Sequence, residues 1–327
     1  MNKTAVVIPN YNGIKYNSDC LNSLRKQSVK DFDVIVVDNG STDGSMEEIL
    51  CNFSWVKCVQ RVENGGFSVA VNEGIRKARE DGAEYIILLN NDTVADEYFV
   101  ERMVQAMEAH PEAFSVQAKM LSMSNPDVID DAGDFYTVLG WAYARGKGKP
   151  ASKYDKPCQI FASCAGAAIY RGEVFDIIGY FDELHFAYLE DIDIGYRSKL
   201  YGYANWYEPK AVIYHAGSGS SGSRYNEFKI RLAARNSILL VYKNQTLLQK
   251  VLHFCPLATG VIIKQIFFAL KGNGFGSIYH KAILEGLKLC RTEDVRMRKL
   301  QKSAVKCRNV CKIEYELWIN AIKKLFV

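Results

Sequence analysis

The sequence lacks the glycine-rich loops by which the commonest nucleotide-binding domains hold phosphate. After the first predicted strand, residues 9–13 read PNYNG, which excludes the G-x-G-x-x-G fingerprint of a dinucleotide-binding domain at that point. The P-loop pattern G-x-x-x-x-G-K-[ST] is absent, and so is the Gly-rich, Arg-containing loop that a sugar nucleotidyltransferase has after its first strand. Any nucleotide site in this chain is therefore built from other groups.

The nine cysteines include no C-x-x-C pair, and no histidine stands at zinc-ligand spacing from them, so a structural zinc site is not expected. Their odd number, in a chain whose first residues do not form an apolar export signal, predicts a reducing cytoplasm. With 48% hydrophobic and 24% charged residues over 327 positions, the chain is predicted to be a folded globular protein.

Acidic residues are scarce in the last part of the sequence. Residues 281–327 contain twelve Lys or Arg against five Asp or Glu, a net charge of +7, whereas the net charge of residues 1–280 is −3. A basic tail favours contact with an acidic surface. Because no recognised nucleic-acid-reading module accompanies it, no nucleic-acid partner is predicted.

Apolar runs that alternate with helical patterns indicate the fold class. Strands are predicted at 4–9, 32–37, 56–59 and 85–89, and helices at 19–27, from about 45, and at 67–80. Strand alternating with helix at this spacing is typical of βαβ units with right-handed crossovers. We therefore predict an α/β fold with a mostly parallel sheet.

Three of the predicted strands end on polar clusters, which read PNYNG, DNGSTDGS and NNDT. Ligands of open parallel sheets bind outside the carboxyl ends of the strands, so these clusters are expected to converge at one rim. Two interpretations of Asp92 stay open at this point. It is either a turn residue, since Asn, Asp and Thr bend the chain and bond their own backbone, or a ligand-binding carboxylate.

The rim offers groups suited to a diphosphate bound through a cation. Asp38 is placed to bind a base or ribose, although it also fits the loop into the helix that follows. Backbone amides near Gly65 and Gly66 lie at a predicted helix N-terminus, which attracts anions. Asp92 supplies one carboxylate, and Mg²⁺ often takes one or two carboxylates together with phosphate oxygens and water.

A set of motifs in a fixed order resembles a known family. The motifs are VVIPNYNG, VVDNGSTDGS, NGGFSVAVNEGI, ILLNNDT, GAAIYRGEVFDIIGYFDELHFAYLEDIDIGYRSKLYGY and YHAGSGS, and they span roughly residues 3–245. Together they resemble the family 2 glycosyltransferases of GT-A fold, especially the bacterial rhamnosyltransferase-like branch. The resemblance implies a Rossmann-like GT-A sheet flanked by helices in a catalytic domain of residues 1–245, followed by a helical, basic C-terminal region of residues 246–327.

The resemblance also implies which residues hold a nucleotide-sugar donor. Asp38 is similar to the carboxylate that reads the base or ribose, with the loop after the first strand beside it. The predicted donor-binding set is Pro9, Asn10, Tyr11, Asn12, Asp38, Asn64, Gly65, Gly66, Asn72, Asn91 and Asp92.

The segment 90–92 resembles the DxD metal motif of the family, but Asn90 stands where the first acid is expected. Asp92 is left as the carboxylate ligand, and His215 in YHAGSGS is similar to a histidine that often supplies a second ligand. The resemblance thus implies Mg²⁺ or Mn²⁺ held by Asp92 and His215. A histidine beside an aromatic residue is also often purely structural, so that interpretation of His215 stays open.

The acidic segment YLEDIDIGYRSKL is predicted to begin a helix, where the helix dipole favours Glu190, Asp191 and Asp193. Adjacent helical residues are about 100° apart, so the three cannot all face one pocket. Asp193 stands four residues before Arg197 and fits an ion pair at the surface or behind the site. Asp191 is the predicted catalytic base, with Glu190 beside it, in agreement with the ED motif of the family; a role limited to the helix dipole is the alternative.

The segment 251–270 is long enough to span a bilayer, but a histidine, a proline, a lysine and a glutamine interrupt it. An interfacial helix is therefore favoured over a transmembrane one, and the basic tail adds attraction to anionic lipid. A helical cap packed on the catalytic domain is the alternative. The GSGSSGS segment, residues 217–223, fits either a flexible linker or a lid that orders over the diphosphate.

The sequence thus predicts an inverting, metal-dependent glycosyltransferase that moves a sugar to a saccharide or lipid-linked acceptor during cell-surface polysaccharide synthesis. By resemblance the favoured donor is dTDP-rhamnose, and a UDP-hexose is the alternative. The enzyme is expected in the cytoplasm at the inner face of the membrane, with peripheral contact through its C-terminal region. The competing hypothesis is a catalytically inactive scaffold that binds sugar nucleotides, which the presence of both Asp92 and Asp191 disfavours.

Overall fold

The first part of the chain alternates strands with helices, as the sequence predicts. The computed structural model describes residues 2–217, 225–297 and 305–325. The elements up to residue 89 are β1 (Thr4–Asn10), α1 (Asn17–Arg25), β2 (Phe32–Asp38), α2 (Ser45–Asn52), β3 (Lys57–Gln60), α3 (Phe67–Glu80) and β4 (Tyr85–Leu89). The predicted bounds of α3 and β4 agree with the structure, whereas the predicted α1 lies two residues too far along the chain.

The middle of the chain adds strands that no pattern in the sequence predicted. Its elements are β5 (Thr93–Ala95), α4 (Phe99–Ala109), β6 (Ala113–Ser122), β7 (Asn125–Asp131), β8 (Asp134–Tyr136), β9 (Ala142–Ala144), β10 (Cys158–Ile160), β11 (Ala167–Arg171), α5 (Gly172–Ile178), α6 (Glu190–Tyr201) and β12 (Ala204–His215). Strands β5, β8, β9 and β10 have three residues each, too few for a periodic pattern to stand out.

Helices make up the rest of the described chain and confirm the predicted helical C-terminal region. They are α7 (Glu227–Asn244), α8 (Leu247–Leu252), α9 (Phe254–Leu270), α10 (Phe275–Leu289), α11 (Glu293–Met297) and α12 (Cys307–Leu325). Within the described ranges, none of the helices is both long and apolar enough to cross a membrane. The predicted domain boundary after residue 245 falls between α7 and α8 and stays a prediction.

A ten-stranded sheet forms the centre of the molecule. Its strand order is β10-β12-β6-β11-β4-β1-β2-β3, with β5 beside β12 and β7 beside β6. β1 runs parallel to β2 and β4, and β12 runs parallel to β6, whereas β11 lies antiparallel between β4 and β6. Because β1, β2 and β4 are parallel, Asn10, Asp38 and the segment after Leu89 lie at the same edge of the sheet.

Both faces of the sheet are buried under helices. Val6 and Ile8 of β1 join one apolar cluster with α1, α2 and α4, while Ala5 and Val7 join another with α3 and α5. Burial on both faces explains why β1, β2 and β4 are continuous apolar runs. Helix α3 approaches the sheet so closely that a Cβ on its Gly74 would lie 2.2 Å from a methyl group of Val7.

The C-terminal helices pack against the sheet-bearing part of the chain. Helix α10 lies against α7 through an apolar cluster around Tyr279. Helix α12 buries Leu317 in one cluster with Tyr136 of β8. His253 Nε2, at the junction of α8 and α9, lies 2.7 Å from Glu314 Oε1 of α12. The region after residue 245 is thereby in direct contact with elements that precede it.

Candidate active site

Three asparagines form a buried, hydrogen-bonded triad at the end of β1. Asn91 Nδ2 donates to Asn10 Oδ1 and to Asn17 Oδ1, each at 3.0 Å, and Asn17 Nδ2 also donates to Asn10 Oδ1 at 3.0 Å. The triad encloses Gly13, where an added Cβ would lie 2.0 Å from Asn91 Nδ2. The predicted donor-binding residues Asn10 and Asn91 are thus brought together, and their side chains hold the rim loops to one another.

Asp38 lies at the end of β2, buried and directly beside this triad. Its Oδ1 accepts from Asn10 Nδ2 at 2.8 Å, and its Oδ2 accepts from the backbone N–H of Ser41 at 3.1 Å. Asn10 Nδ2 also donates to Ser45 Oγ at 3.0 Å, at the first turn of α2. The Asp38 carboxylate is therefore held in place at the rim, where the sequence predicts that it meets the nucleoside.

The loop after β1 contacts the loop after β2 along the rim. Asn12 donates its backbone N–H to Ser41 Oγ and accepts from the Thr42 N–H through its side chain, both at 2.9 Å. Pro9 is partly buried at the end of β1, and Tyr11 is 43% exposed at the tip of the loop. The predicted donor-binding residues of this loop therefore lie together, next to the end of β2.

The backbone amides at the start of α3 are already engaged by asparagine side chains. Asn39 Oδ1 accepts from the Gly65 N–H at 3.0 Å, and Asn64 Oδ1 accepts from the Gly66 N–H at 2.9 Å. Asn39 Nδ2 in turn donates to Asn64 Oδ1 at 2.9 Å. An anion bound here would have to replace these hydrogen bonds, so the phosphate-binding role of Gly65 and Gly66 stays a prediction.

Asn72 is not brought to the rim with the other predicted donor-binding residues. Its side chain is 1% exposed and accepts from the Phe181 N–H at 3.0 Å. It donates to Phe181 O at 2.8 Å and to Glu183 Oε1 at 2.9 Å. These hydrogen bonds tie α3 to the segment before α6, and they occupy both polar groups of the Asn72 side chain.

His215 ends β12 and lies between two carboxylates. Its Nε2 is 3.2 Å from Asp92 Oδ1, and its Nδ1 is 2.8 Å from Asp130 Oδ2 at the end of β7. Burial alone would lower the pKa of His215, but the hydrogen bonds with Asp130 and Asp92 outweigh it and raise that pKa to about 9. Burial opposes ionisation of Asp130 too, yet its bonds with His215 and Lys147 lower its pKa to about 2.

Asp92 and His215 carry atoms that could bind a divalent cation, which would displace the proton between His215 Nε2 and Asp92. Asp92 Oδ1 and His215 Nε2 face each other, and both side chains are largely buried. The contact of Nδ1 with Asp130 orients the ring with Nε2 toward Asp92, as carboxylates commonly orient metal-binding histidines. The pair fits a cation whose remaining positions are left to phosphate oxygens and water.

The predicted linker or lid, residues 217–223, lies outside the described residues except for Gly217. Just before it, the Ala216 N–H donates to the backbone oxygen of Asp92 at 2.9 Å. That hydrogen bond holds the chain after His215 beside the proposed metal ligand.

Glu190 and Asp191 begin α6 and face a second group of acids. Glu190 Oε2 and Asp191 Oδ1 are buried, with no hydrogen-bond partner in the part of the chain that the structure describes. Burial, with the charge of Asp134 nearby, raises the pKa of Glu190 to about 7. Burial and the charge of Glu190 raise the pKa of Asp191 well above its ordinary value, against a hydrogen bond from the Cys164 thiol.

Asp131 and Cys164 act electrostatically on Asp191, and one polar atom each of Asp131, Asp134 and Cys164 lies within 4.8 Å of the others. Gln117 Nε2 donates to Asp131 Oδ1 at 2.8 Å, yet burial raises the pKa of Asp131 to about 6. Burial and the charge of Asp131 raise the pKa of Asp134 well above its ordinary value. With like charges this close, the carboxyl groups are not all ionised at once. These atoms could also surround a cation, but a thiol is a poor ligand for Mg²⁺.

Strand β7 connects the two groups. Asp130 and Asp131 are its last two residues, at a β-bulge or similar irregularity in the pairing with β6, and their side chains reach different neighbours. Asp130 accordingly contacts His215, whereas Asp131 joins the group around Asp191. The sequence-based prediction missed Asp130, Asp131 and Asp134. Three acids within the five residues DDAGD are the signal that could have found them.

Asp193 is fully buried behind the site. The predicted ion pair with Arg197 is present at 3.0 Å, and Lys243 of α7 lies 3.0 Å from the other Asp193 oxygen. Asn244 Nδ2 donates to the same carboxylate at 2.8 Å. Burial opposes the charge of Asp193, but Lys243 and Arg197 hold its pKa well below the ordinary range. This carboxylate anchors the first turn of α6 to α7 and so positions the two acids that precede it.

Comparison with known sequences identifies relatives of the chain. A profile of glycosyl transferase family 2 matches residues 5–178. The chain is 26% identical over 225 residues to an N-acetylglucosaminyl-diphospho-decaprenol L-rhamnosyltransferase of Mycobacterium tuberculosis. This match covers 62% of this chain and 72% of the relative. It is 24% identical over 207 residues to a poly-β-1,6-N-acetyl-D-glucosamine synthase of Staphylococcus epidermidis. That match covers 62% of this chain and 47% of the relative.

Solved structures share the fold at low identity. GalNAc-T7 with UDP, GalNAc and Mn²⁺ has a TM-score of 0.59 and 15% identity, and the match covers 74% of this chain and 48% of that one. The TarS 1–349 structure from S. aureus has a TM-score of 0.55 and 19% identity, covering 93% and 85%. A mannosyltransferase from Pyrobaculum calidifontis in complex with GDP-Man and Mn²⁺ has a TM-score of 0.54 and 15% identity, covering 97% and 87%. These likenesses show the fold, which is the expected GT-A arrangement.

The family match extends over more than half of the chain and includes the strands that form the rim. It begins in β1, contains Asp38 and Asp92, and ends with α5. Together with the rhamnosyltransferase relative, this match shows that the chain belongs to glycosyltransferase family 2, in its rhamnosyltransferase-like branch.

Proposed function

We propose that this glycosyltransferase moves a sugar, with inversion, from a nucleotide donor to a saccharide or lipid-linked acceptor in cell-surface polysaccharide synthesis. The observation that carries the proposal is the presence of two different acidic centres on either side of β7. Asp92 faces His215 in one, and Asp191 lies among carboxyl groups of raised pKa in the other. Glycosyl transfer needs one centre for the leaving diphosphate and another for the acceptor hydroxyl.

The donor side is formed by the rim and by Asp92. Asp92 and His215 would hold a divalent cation, which offsets the negative charge that develops on the departing diphosphate. Asp130 keeps the His215 ring oriented toward Asp92. Asp38 and the exposed Tyr11, at the ends of β2 and β1, are the proposed contacts of the nucleoside.

Asp191 is the proposed base on the acceptor side. Its Oδ1 is buried and has no hydrogen-bond partner within the described ranges, so it is available to an acceptor hydroxyl that enters this space. As the acceptor oxygen bonds to the anomeric carbon, its proton passes to Asp191 and the bond to the diphosphate oxygen breaks with its electron pair. A raised pKa makes the ionised carboxylate a stronger base. Attack opposite the leaving group inverts the anomeric centre.

The favoured donor is dTDP-rhamnose, and a UDP-hexose is the alternative. The name of the M. tuberculosis relative specifies transfer of L-rhamnose and a diphospho-decaprenol-linked acceptor. The name of the S. epidermidis relative specifies synthesis of a polysaccharide. Two of the solved structures that share the fold contain Mn²⁺, which supports Mg²⁺ or Mn²⁺ as the cation here. A location at the inner face of the cell membrane is part of the same proposal.

Release of nucleoside diphosphate tests the proposal. The purified chain would be incubated with dTDP-, UDP- and GDP-sugars, Mg²⁺ or Mn²⁺, and a saccharide-lipid extract as acceptor, and then again with chelator. We expect chelator-sensitive, acceptor-dependent release from dTDP-rhamnose, and an inverted anomeric centre in the product by NMR. Binding of a sugar nucleotide by calorimetry without release from any donor would contradict the proposal and favour the inactive scaffold.

A further inference from the structure

Residues 228–284 contain no Asp or Glu. The same stretch contains eight Lys or Arg, and four of them, Lys250, Lys264, Lys271 and Lys281, follow residue 245. It runs from the first turn of α7 into α10. Because Arg231, Arg235 and Lys243 form ion pairs with carboxylates outside the stretch, the positive charge that a negatively charged partner would complement belongs to the segment after residue 245.

Helices α8 and α9 expose a stripe of large apolar side chains. Leu247 is 75% exposed, Phe254 is 72% exposed and Leu270 is 83% exposed. The whole stripe consists of Leu247, Leu248, Val251, Leu252, Phe254, Ile262, Ile263, Ile266 and Leu270. The four residues of α8, and Ile262 to Leu270 of α9, recur at spacings of three and four, which puts each set on one side of its helix; Phe254 lies eight residues before Ile262. Large apolar side chains exposed in this number on two successive helices mark an interaction face.

The buried side of α9 packs on the hairpin formed by β8 and β9. Trp141 Nε1 donates to Gly260 O at 3.2 Å. A Cβ on Gly260 would lie 2.2 Å from Leu139 O, so the hairpin turn and α9 are in direct backbone contact. The hairpin begins at Asp134, whose charge acts on the acids at the start of α6. One hairpin thus separates the exposed stripe from the proposed base.

Lys264 is a partly buried cation on the side of α9 that faces the hairpin. Its Nζ lies 5.8 Å from the centre of the Trp141 ring. None of the carboxylates in residues 2–217, 225–297 and 305–325 forms an ion pair with it, and burial lowers its pKa to about 8. Lys264 therefore adds positive charge beneath the stripe rather than on it.

We propose that the stripe on α8 and α9 docks on an anionic phospholipid bilayer and there presents a lipid-linked acceptor to the β8–β9 hairpin and Asp191. The part of this inference that concerns the acceptor rests on the proposed function. The apolar side chains enter the boundary between headgroups and acyl chains, while the lysines contact lipid phosphates. The proposal thereby specifies which side of the predicted interfacial segment, residues 251–270, contacts the bilayer.

A second copy of the chain is the competing occupant of the stripe. A two-fold contact places the same surface on both sides, so the lysines of one copy would face those of the other. Because residues 228–284 contain no carboxylate, nothing in that stretch offsets the repulsion. Phosphatidylglycerol supplies the missing negative charge, so the charge pattern favours a bilayer.

Co-sedimentation with vesicles tests the docking face. The full chain would be mixed with vesicles of phosphatidylglycerol and phosphatidylethanolamine, or of phosphatidylcholine alone. We expect binding to the anionic vesicles, and about tenfold weaker binding of the double variant Leu248→Ser, Ile266→Ser. Leu50→Ser is the matched control, since Leu50 lies on α2 and is 54% exposed.

Equal vesicle binding by the wild type and the double variant overturns the docking face. A dimer seen by light scattering that the double variant loses, without vesicle binding, assigns the stripe to a second copy.

The acceptor part is tested by comparing a lipid-linked acceptor in anionic vesicles with a water-soluble acceptor of the same sugar. The double variant should lose about tenfold in rate with the first and keep its rate with the second. An equal loss with both acceptors would show general damage to the enzyme and contradict the presentation of the acceptor by the bilayer. Absence of transfer by the wild type with either acceptor would contradict the proposed function, and vesicle binding would still decide the docking face.

Discussion

The two acidic centres on either side of β7 shift the pKa values of their carboxyl groups in opposite directions. Around His215, opposite charges and hydrogen bonds meet, and the pKa of Asp130 is lowered to about 2. Around Asp191, like charges meet in a buried space, and the pKa values of Asp131 and Glu190 rise to about 6 and about 7. The groups around a carboxyl group determine whether it is ionised. The centre around His215 is therefore suited to bind a cation, and the centre around Asp191 is suited to exchange protons.

The largest effect is expected at the proton-exchanging centre. Asp191→Asn should lower the rate of transfer by about a thousandfold, because it removes the proposed base, and should leave donor binding unchanged. The rate is measured by product formation and donor binding by calorimetry. Asp176→Asn is the control, since that residue lies exposed on α5. Transfer by Asp191→Asn at the wild-type rate would exclude the base assignment.

A smaller loss is expected at the cation-binding centre. Asp92→Ala should weaken donor binding in the presence of Mn²⁺ by about a hundredfold, because a carboxylate ligand is lost. Calorimetry with and without chelator measures the metal-dependent part. Asp127→Ala, at an exposed position on β7, should bind as the wild type does. If Asp92→Ala kept its metal dependence, Asp92 would not be a ligand.

The neighbours Asp130 and Asp131 provide a direct contrast between the centres. Asp130→Asn should weaken Mn²⁺ dependence by about tenfold, since the orientation of His215 is lost. Asp131→Asn should leave Mn²⁺ dependence unchanged and move the acidic limb of the pH profile to lower pH, because the charge of Asp131 raises the pKa of Asp191. The two profiles are measured as kcat/KM. The same response from both variants would show that the centres are not separate.

The smallest effect is on stability. Because the pKa of Glu190 is raised from 4.5 to about 7 on folding, the folded state binds the proton more tightly, and stability falls as pH rises between these values. Glu190→Gln removes this loss and should be more stable than the wild type by about 1–3 kcal/mol at pH 8, with little difference at pH 4.5. Denaturant unfolding at the two pH values measures it, with exposed Glu80→Gln as the control. A variant that is less stable at pH 8 would contradict the raised pKa.

The amino-terminal part of the fold follows from local patterns, and so does the position of Asp92. Apolar runs and helical spacing predict β1 to β4 and the helices between them because these elements are long and their turns are polar. The pairing that gives Asp92 its partner is long-range: His215 lies at the end of β12, 123 positions later by its number in the sequence. The resemblance to the family, rather than periodicity, joined these two residues.

The residues between the centres could not be predicted in the same way. Asp130 and Asp131 end β7, and Asp134 begins the three-residue strand β8. Elements this short, or this polar, show no apolar period from which a strand could be predicted. Asn72 and the Gly65 amide illustrate a second point, because polar groups predicted to bind the donor are engaged within the fold, and their donor-binding role stays a prediction. A sequence shows which groups are polar, whereas the structure decides which of them have partners.

The end of β7 also makes the site sensitive to chain length. Asp130 and Asp131 serve different centres because their side chains diverge where the pairing of β7 with β6 is irregular. Insertion or deletion of one residue ahead of them would shift this register and move both carboxylates away from their partners, although both acids were kept. We therefore expect a change of one residue in the length of β7 to abolish transfer where a substitution at its exposed positions would be tolerated.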